Sequence, residues 1–482
     1  MAEQKTVFTS EDWWSVWIGL LIFIFGLGPL LGVDFLGWAV EPQMWTSLSK
    51  SIAPVSKKYA GLPAILSLLF TYVALLAILG IGAKALGFNL AKFFYGFTVI
   101  FFLTCVCNVI GYNAYIAANR PVDLEKFRIA WSLKLTGEAG LILALLAGLF
   151  IGNFLPQFAE SLREATRPEW FIKSAIVILG AGLGVKAAEQ LGFATTLMFL
   201  GLCAIVVAYL IYWALVYFLA RKFFKFSREW SAPLASGISI CGVSAAIATG
   251  GAIRARPIIP IMVSSLVVVF AVVELVLLPF LAASILPNEP MVAGAWMGLA
   301  VKTDGAAVAS GQIVESLILA KNAAQGMNFE KGWILNTATT VKVFIDVFIG
   351  IWAFILALIW TTKVDPKPGE KVKAGEIWNR FPKFVIGYAL TFLVMLVIVM
   401  AIPQVKDDAK SASGGVEVFR KLFFALTFFS IGLVSNFKKL WEEGIGRLTV
   451  IYLISLFGFV IWIGLLISWI FFHGVKPPIA GM

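Results

Sequence analysis

The sequence predicts an all-α polytopic membrane protein of about 13 segments, each close to the 20 apolar residues that a bilayer crossing requires. Three observations carry this prediction. Hydrophobic residues make up 60% of the chain and charged residues 13%, when soluble domains carry roughly 25% charged residues. Uncharged apolar runs recur along the whole chain, and its mean hydropathy is +0.92. The net charge of +11, from 38 Lys plus Arg against 27 Asp plus Glu, sits mainly in short loops between those runs. That is the distribution the positive-inside rule produces, so the basic balance calls for a lipid bilayer and no nucleic-acid partner.

Three apolar helices open the chain, at Trp13–Trp38, Leu62–Leu86 and Phe93–Ala118. The first lacks both a basic leader and a small-residue cleavage site, so it reads as a retained helix and not a signal peptide. A polar stretch of mixed charge, 119–136, then breaks the composition. Residues 1–118 are therefore expected to form an N-terminal three-helix appendage, 119–136 a linker and 137–482 the main body. The body holds ten further runs, near Ala139–Phe158, Phe171–Val185, Leu191–Ala220, Trp230–Ile253, Ile258–Leu286, Met291–Val314, Trp333–Thr361, Phe381–Ile402, Leu422–Phe437 and Val450–His473.

Arg221, Lys222, Lys225 and Arg228 form one basic loop, and Lys363, Lys367, Lys371, Lys373 and Arg380 form another. Both belong on the cytoplasmic face. Counting crossings outward puts the N-terminus in the cytoplasm and the C-terminus outside, in a cell inner membrane. Arg120, Lys126, Arg128 and Lys134 then face outward against the rule, and Asp123, Glu125 and Glu138 count little towards an offset.

A faint internal repeat relates Phe171-Ile172-Lys173-Ser174 through Gly182-Leu183 to Phe419-Arg420-Lys421-Leu422 through Gly432-Leu433, with a two-residue gap. By the crossing count the two copies run in opposite directions, and inverted repeats are the building plan of many secondary transporters. Enzyme chemistry finds no foothold. Cys105, Cys107, Cys203 and Cys241 all lie inside apolar runs without metal-ligand spacing, and His473 stands alone near the C-terminal end. There is no Walker loop, no HExxH and no serine elbow. Neither cofactor nor metal is expected.

Three constellations can carry function. In Ser236-Gly237-Ile238-Ser239-Ile240-Cys241-Gly242-Val243-Ser244, two glycines weaken a helix by about 1 kcal/mol each. A break there exposes amide groups that bind anions without a basic side chain, and Ser239 and Ser244 add hydroxyl donors. The plainer reading is close packing of small residues. In Lys302-Thr303-Asp304, two ionisable groups interrupt an apolar stretch, which usually marks a bundle interior or a wet cavity. Lys302 can hold an anion and Asp304 can exchange a proton, or the two can simply pair. In Asn336–Asp346, Asn336, Thr339 or Thr340, Val343 and Asp346 share a helix face, while Lys342 either binds an anion or pairs with Asp346 four residues on. Glu274, alone among aliphatics, is a candidate proton carrier or a hydrogen-bonded structural acid. Arg254 and Arg256 read as loop charges.

The run Ser236–Ala246, with its Ser-Ile-Cys-Gly-Val-Ser-Ala core, resembles the YeiH-type sulfate exporter family. Leu145–Asn153, Lys173–Leu183, Asn336–Val343, Phe381–Tyr388 and Ser430–Leu433 resemble other parts of it, so the likeness spans about Gly137 to His473. Shorter members carry a histidine–aspartate pair where Lys302-Thr303-Asp304 stands here, and the three N-terminal helices are additional. The resemblance implies the fold of sodium/proton antiporters and bile-acid symporters, an inverted-repeat transporter in which two broken helices cross at mid-membrane, and a homodimer.

The expectation is therefore a secondary transporter that moves a small inorganic, sulfate-like anion by alternating access. Ser236, Gly237, Ser239, Cys241, Gly242, Ser244, Lys302, Thr303 and Lys342 would form the binding site, with Asp304, Glu274 and Asp346 coupling to H+ or Na+. An inside-negative potential of about 100 mV favours export of a divalent anion by about 4.6 kcal/mol. An anion channel, a carrier of bicarbonate, sulfite or a small organic sulfonate, and a membrane enzyme or sensor subunit are the alternatives.

Overall fold

The computed structural model describes residues 10–118, 121–133, 135, 137, 139–256, 258–364, 378, 381–435 and 446–480. Helix dominates because a chain in hydrocarbon must satisfy its own amide and carbonyl groups, and a helix does so within one segment. In chain order the long helices are α1 (Glu11–Gly26), α2 (Ala64–Ala85), α3 (Leu90–Gly111), α4 (Ala139–Phe154), α5 (Pro168–Glu189) and α6 (Leu191–Lys222). There follow α7 (Arg228–Ser239), α8 (Gly242–Ala252), α9 (Ile258–Ile285), α10 (Pro290–Ala300), α11 (Asp304–Ala324) and α12 (Trp333–Ile359). The last three are α13 (Phe384–Ala401), α14 (Lys406–Val434) and α15 (Gly446–Phe472). Among the described residues, nine helices are long and apolar enough to cross a membrane, or ten if the bent pair Ala139–Phe154 and Pro156–Ala165 is one crossing. The protein is an all-α polytopic membrane protein. Its one described sheet is the antiparallel pair β1 (Val40–Pro42) and β2 (Ile52–Pro54).

The boundaries differ from the sequence expectation where local chemistry overrides hydropathy. The run expected as Trp13–Trp38 is α-helical only to Gly26. A 3-10 turn, Gly28–Leu31, follows, because Pro29 has no amide proton and Gly32 takes left-handed backbone at φ 76°. The run expected as Ala139–Phe158 stops at Phe154, and Pro156 opens a new helix bent by 117°. The run expected to begin at Leu422 is the second half of α14, which starts at Lys406. Its polar first half is held by ion pairs, Lys406 and Lys410 reaching Glu189 of α5 at 3.0 and 2.8 Å. Lys421 reaches Glu41 of β1 at 2.9 Å, and Arg420 pairs with Glu417 and lies over the Phe424 ring.

The helices form two compact units. One comprises Met1–Thr195 with Lys383–Ser435, and the other Thr196–Pro382 with Asn436–Met482. The expected partition separates an appendage from a body, whereas the contacts group α1, α2 and α3 with α4, α5, α13 and α14 in the first unit, α1 lying along α5 and α3 along α4. The stretch expected as a linker carries a short helix, Pro121–Phe127. Arg120, Lys134 and Glu138, and the basic residues Lys367, Lys371, Lys373 and Arg380, lie outside the described residues.

Within the first unit, α4 packs on α14, α13 on α5, and α5 on α14. The two copies of the sequence repeat thus sit on neighbouring helices. Small residues allow these backbones to approach closely. A methyl group on Gly432 of α14 would collide with the Leu145 carbonyl of α4, and one on Gly148 with that of Phe429. The Thr391 hydroxyl of α13 donates to the Val177 carbonyl of α5 at 2.7 Å. Gly432→Ala is expected to lower stability in detergent by about 1–3 kcal/mol, read from the thermal melt. Gly182→Ala, with open space around it, is the control and leaves the melt unchanged or slightly raised.

Candidate functional site

Two helical paths of the second unit are interrupted. One stops with α7 at Ser239 and resumes with α8 at Gly242. The other stops with α10 at Ala300 and resumes with α11 at Asp304. In the first, Gly242 takes φ 29°, backbone that side chains disfavour. In the second, Val301 and Thr303 are extended, and the Thr303 hydroxyl accepts the Ala306 amide at 3.2 Å as an N-cap. With 12 residues in α7 and 11 in α8, the two pieces extend about 18 and 16 Å. Together they are about as long as a hydrocarbon core of about 30 Å is thick.

The two interruptions adjoin. A methyl group on Gly242 would stand 3.0 Å from the Lys302 carbonyl oxygen. The ends of α7 and α10 leave carbonyls without helical partners, and two buried lysines collect them. Lys342 of α12 donates its ammonium to the carbonyls of Ile240 at 2.9 Å, Val301 at 3.3 Å and Lys302 at 3.4 Å, with Asp304 Oδ1 at 3.9 Å. Lys302 donates its ammonium to the Leu299 carbonyl at 2.5 Å and lies 4.8 Å from the Tyr212 ring centroid. Its backbone amide donates to Glu274 Oε2 at 2.8 Å.

The other predicted residues fall around this core. The Cys241 thiol donates to Asp304 Oδ1 at 2.7 Å. One ligand atom each of Cys241, Asp304 and Asp346 lies within 4.8 Å of the others, and all three residues are buried. These are the side chains that could hold a metal cation, but the Lys342 ammonium already supplies positive charge beside Asp304. Ser239 is buried, and its hydroxyl has no partner among the described residues. Ser236 accepts the Trp213 indole N–H at 3.0 Å, and Gly237 faces the Gly242 carbonyl. Ser244 is half-buried in the first turn of α8. Asn336, Thr339 and Thr340 are buried in the first half of α12. Arg256 stands apart from the interruptions, held by Glu229 at 3.1 Å on the exposed end of α7.

Two elements of this arrangement escape a sequence reading. Tyr212 of α6 offers its ring face to Lys302. Glu315 of α11, an ordinary charge in the linear sequence, is buried and accepts the amides of Gly332 at 2.8 Å, Ile334 at 3.0 Å and Leu335 at 3.1 Å. It therefore caps the N-terminus of α12, the helix that carries Lys342, where a carboxylate is also favoured by the helix dipole.

Stability measurements separate these roles. Lys342→Ala strands three carbonyls and a buried carboxylate, and is expected to destabilise the protein by about 3–5 kcal/mol. Glu315→Gln removes charge-assisted bonds at the start of α12 and is expected to lower stability by about 1–3 kcal/mol. Thermal melts in detergent check both.

Comparison with known proteins gives a family without an assigned activity. Residues 129–451 match the family described as conserved hypothetical protein 698. The chain is 44% identical over 476 residues to a UPF0324 membrane protein of Nitrosomonas europaea, covering 98% of this chain and 97% of that one. An uncharacterized protein of Archaeoglobus fulgidus is 49% identical over 189 residues, 34% of this chain and 97% of its own. A UPF0324 membrane protein of Nitratidesulfovibrio vulgaris is 28% identical over 424 residues, 86% of this chain and 65% of its own. No solved structure matches the chain.

Proposed function

This chain belongs to the conserved hypothetical protein 698 family, whose relatives are named UPF0324 membrane proteins, and from that premise we propose that it is a secondary transporter of a small inorganic anion. The anion is of the sulfate kind, moves by alternating access and occupies the place where the two interrupted helices adjoin.

The observation that carries this reading is the unequal use of the two buried ammonium groups. Lys342 spends its three donors on three carbonyls and has an aspartate beside it. Lys302 makes one ammonium hydrogen bond among the described residues, with an aromatic face as its other neighbour. An ammonium carries three donors, so Lys302 retains two for a ligand. The first amides of α8 and α11 have no helical acceptors and favour negative charge, and the Ser239 hydroxyl is buried without a partner. These groups suit an oxyanion with several acceptor oxygens.

The charge balance argues for compensation by protons. Lys302 lies beside Glu274, and Lys342 beside Asp304, Asp346 and Glu274, two positive charges against three negative when all are ionised. An anion entering that field is repelled until at least one carboxylate is neutralised. Anion transport by this site is then linked to proton uptake.

The fold expected for such a carrier is an inverted repeat of thirteen crossings, with the N-terminus in the cytoplasm of the inner membrane. The packing of α4 on α14 and of α13 on α5, with α5 on α14 between them, is the pattern a two-fold axis would generate. The resemblance of Ser236–Ala246 to sulfate exporters supports the substrate class.

Purified protein in proteoliposomes should exchange labelled sulfate, sulfite, bicarbonate or a small sulfonate across the membrane with saturable counterflow. Lys302→Ala and Ser239→Ala should abolish or sharply reduce that counterflow, Ser239→Ala with a melting temperature close to wild type and Lys302→Ala with a lowered one, because it strands the Leu299 carbonyl and leaves a cavity. Wild-type levels of counterflow in both variants would overturn the site. Currents far above carrier turnover would make the protein a channel, and the absence of flux for every anion would end the transport reading.

A further inference from the structure

We infer that Glu274 is the residue that takes up the proton when the anion binds, and that it does so by holding the interruption between α10 and α11. The inference rests on the transport reading above and deepens it by naming the coupling group.

Glu274 lies within α9, Ile258–Ile285, about 24 Å from one end and 16 Å from the other at 1.5 Å per residue. It is wholly buried. Its Oε2 accepts the backbone amide of Lys302, inside the second interruption. Its Oε1 has no hydrogen-bond partner among the described residues. A buried carboxylate with one oxygen unsatisfied is costly when ionised, and a proton on that oxygen removes the charge.

The other two carboxylates of the cluster are placed differently. Asp304 receives the Cys241 thiol proton and has the Lys342 ammonium beside it. Asp346 stands on α12 within reach of Cys241 and Asp304, one helical turn from Lys342. Both therefore lie beside the Lys342 ammonium. Glu274 forms no ion pair among the described residues, since the Lys302 ammonium turns to the Leu299 carbonyl and the Tyr212 ring. The charged and titratable groups that act on Glu274 are Lys302 in the interruption, Lys342 of α12 and Tyr452 of α15.

The contact with the Lys302 amide makes the proton matter to the backbone. As an anion, Glu274 holds that amide by a charge-assisted bond, about twice as strong as a neutral one. Once protonated, Glu274 holds the amide more weakly, and the Lys302 ammonium loses its nearest competing negative charge. An anion arriving at Lys302 adds negative charge close to Glu274 and raises its affinity for a proton. By reciprocity the proton raises the affinity for the anion by the same factor. Anion affinity therefore rises as pH falls.

The test uses the full-length protein in proteoliposomes with labelled sulfate, comparing wild type with Glu274→Gln, which mimics the protonated acid. Wild type should accumulate sulfate when the lumen is alkaline at zero membrane potential, and should also exchange sulfate at symmetric pH. Glu274→Gln should lose the accumulation driven by the pH gradient and keep the exchange, with an apparent sulfate affinity that no longer changes with pH. Retention of wild-type accumulation in Glu274→Gln overturns the inference and leaves the transport reading intact. Loss of both activities in a variant that melts like wild type also overturns it, because the glutamine oxygen still accepts the Lys302 amide and exchange at symmetric pH moves no net proton. Wild type that exchanges no sulfate removes the premise and the inference together.

Discussion

A helix that stops partway through a bilayer leaves its last carbonyl oxygens in a medium that has no water to meet them. In this protein the stranded carbonyls are those of Leu299, Val301 and Lys302 at the end of α10 and Ile240 at the end of α7, and the donors that collect them are two buried ammonium groups. Everything at the site follows from that pairing. Lys342 binds the end of α7 and the end of α10 at once, so one side chain keeps the two interruptions adjoining. The residues that resume each helix, Gly242 and Asp304, are then held against the same charge. Glu315 makes the arrangement rigid one step further out, because it fixes the start of the helix on which Lys342 rides.

The two lysines solve different problems although the sequence presents them alike. A fully paired buried ion is a poor ligand for anything else, since releasing it strands its partners. Lys342 is in that position. Lys302 is tethered by a single carbonyl and an aromatic face, and its backbone amide is held by Glu274. A ligand that reaches the Lys302 ammonium thus touches the same residue that Glu274 restrains through the backbone. Charge and backbone geometry are joined at one residue, which is what a coupled carrier needs.

Much of this was legible in the sequence where the signal is local. The glycines at 237 and 242 and the hydroxyls around them announced an interruption, and Lys302-Thr303-Asp304 announced charge at membrane depth next to a helix start. Glu274 stood out because nothing around it in the chain is polar. What could not be read is which partners these groups choose. The sequence reading made Lys342 a candidate anion ligand, but its nearest carbonyl partner lies 102 residues away in the chain and another 41 residues away. No spacing rule reaches that far. Glu315 was missed for the same reason, because a capping carboxylate from a neighbouring helix looks like any surface charge. The apolar run expected from Leu422 leaves out the polar first half of α14, because hydropathy sees Lys406 and Lys410 but not Glu189 of α5, which pairs with both.

The charge count at the site also bears on direction. A divalent anion moving alone carries two charges outward under an inside-negative potential, and a single accompanying proton leaves one. At about 2.3 kcal/mol per charge for each 100 mV, the paired movement still favours export, with half the driving force and an added dependence on the pH gradient. Such a carrier runs outward in a cell with a small pH difference and slows as the exterior becomes acidic, because returning protons favour the inward step. A proton-linked site is therefore compatible with export without any second energy source. In the carrier proposed above, reversibility follows, and Lys302, tethered by one carbonyl and with its amide on Glu274, would serve traffic in both directions.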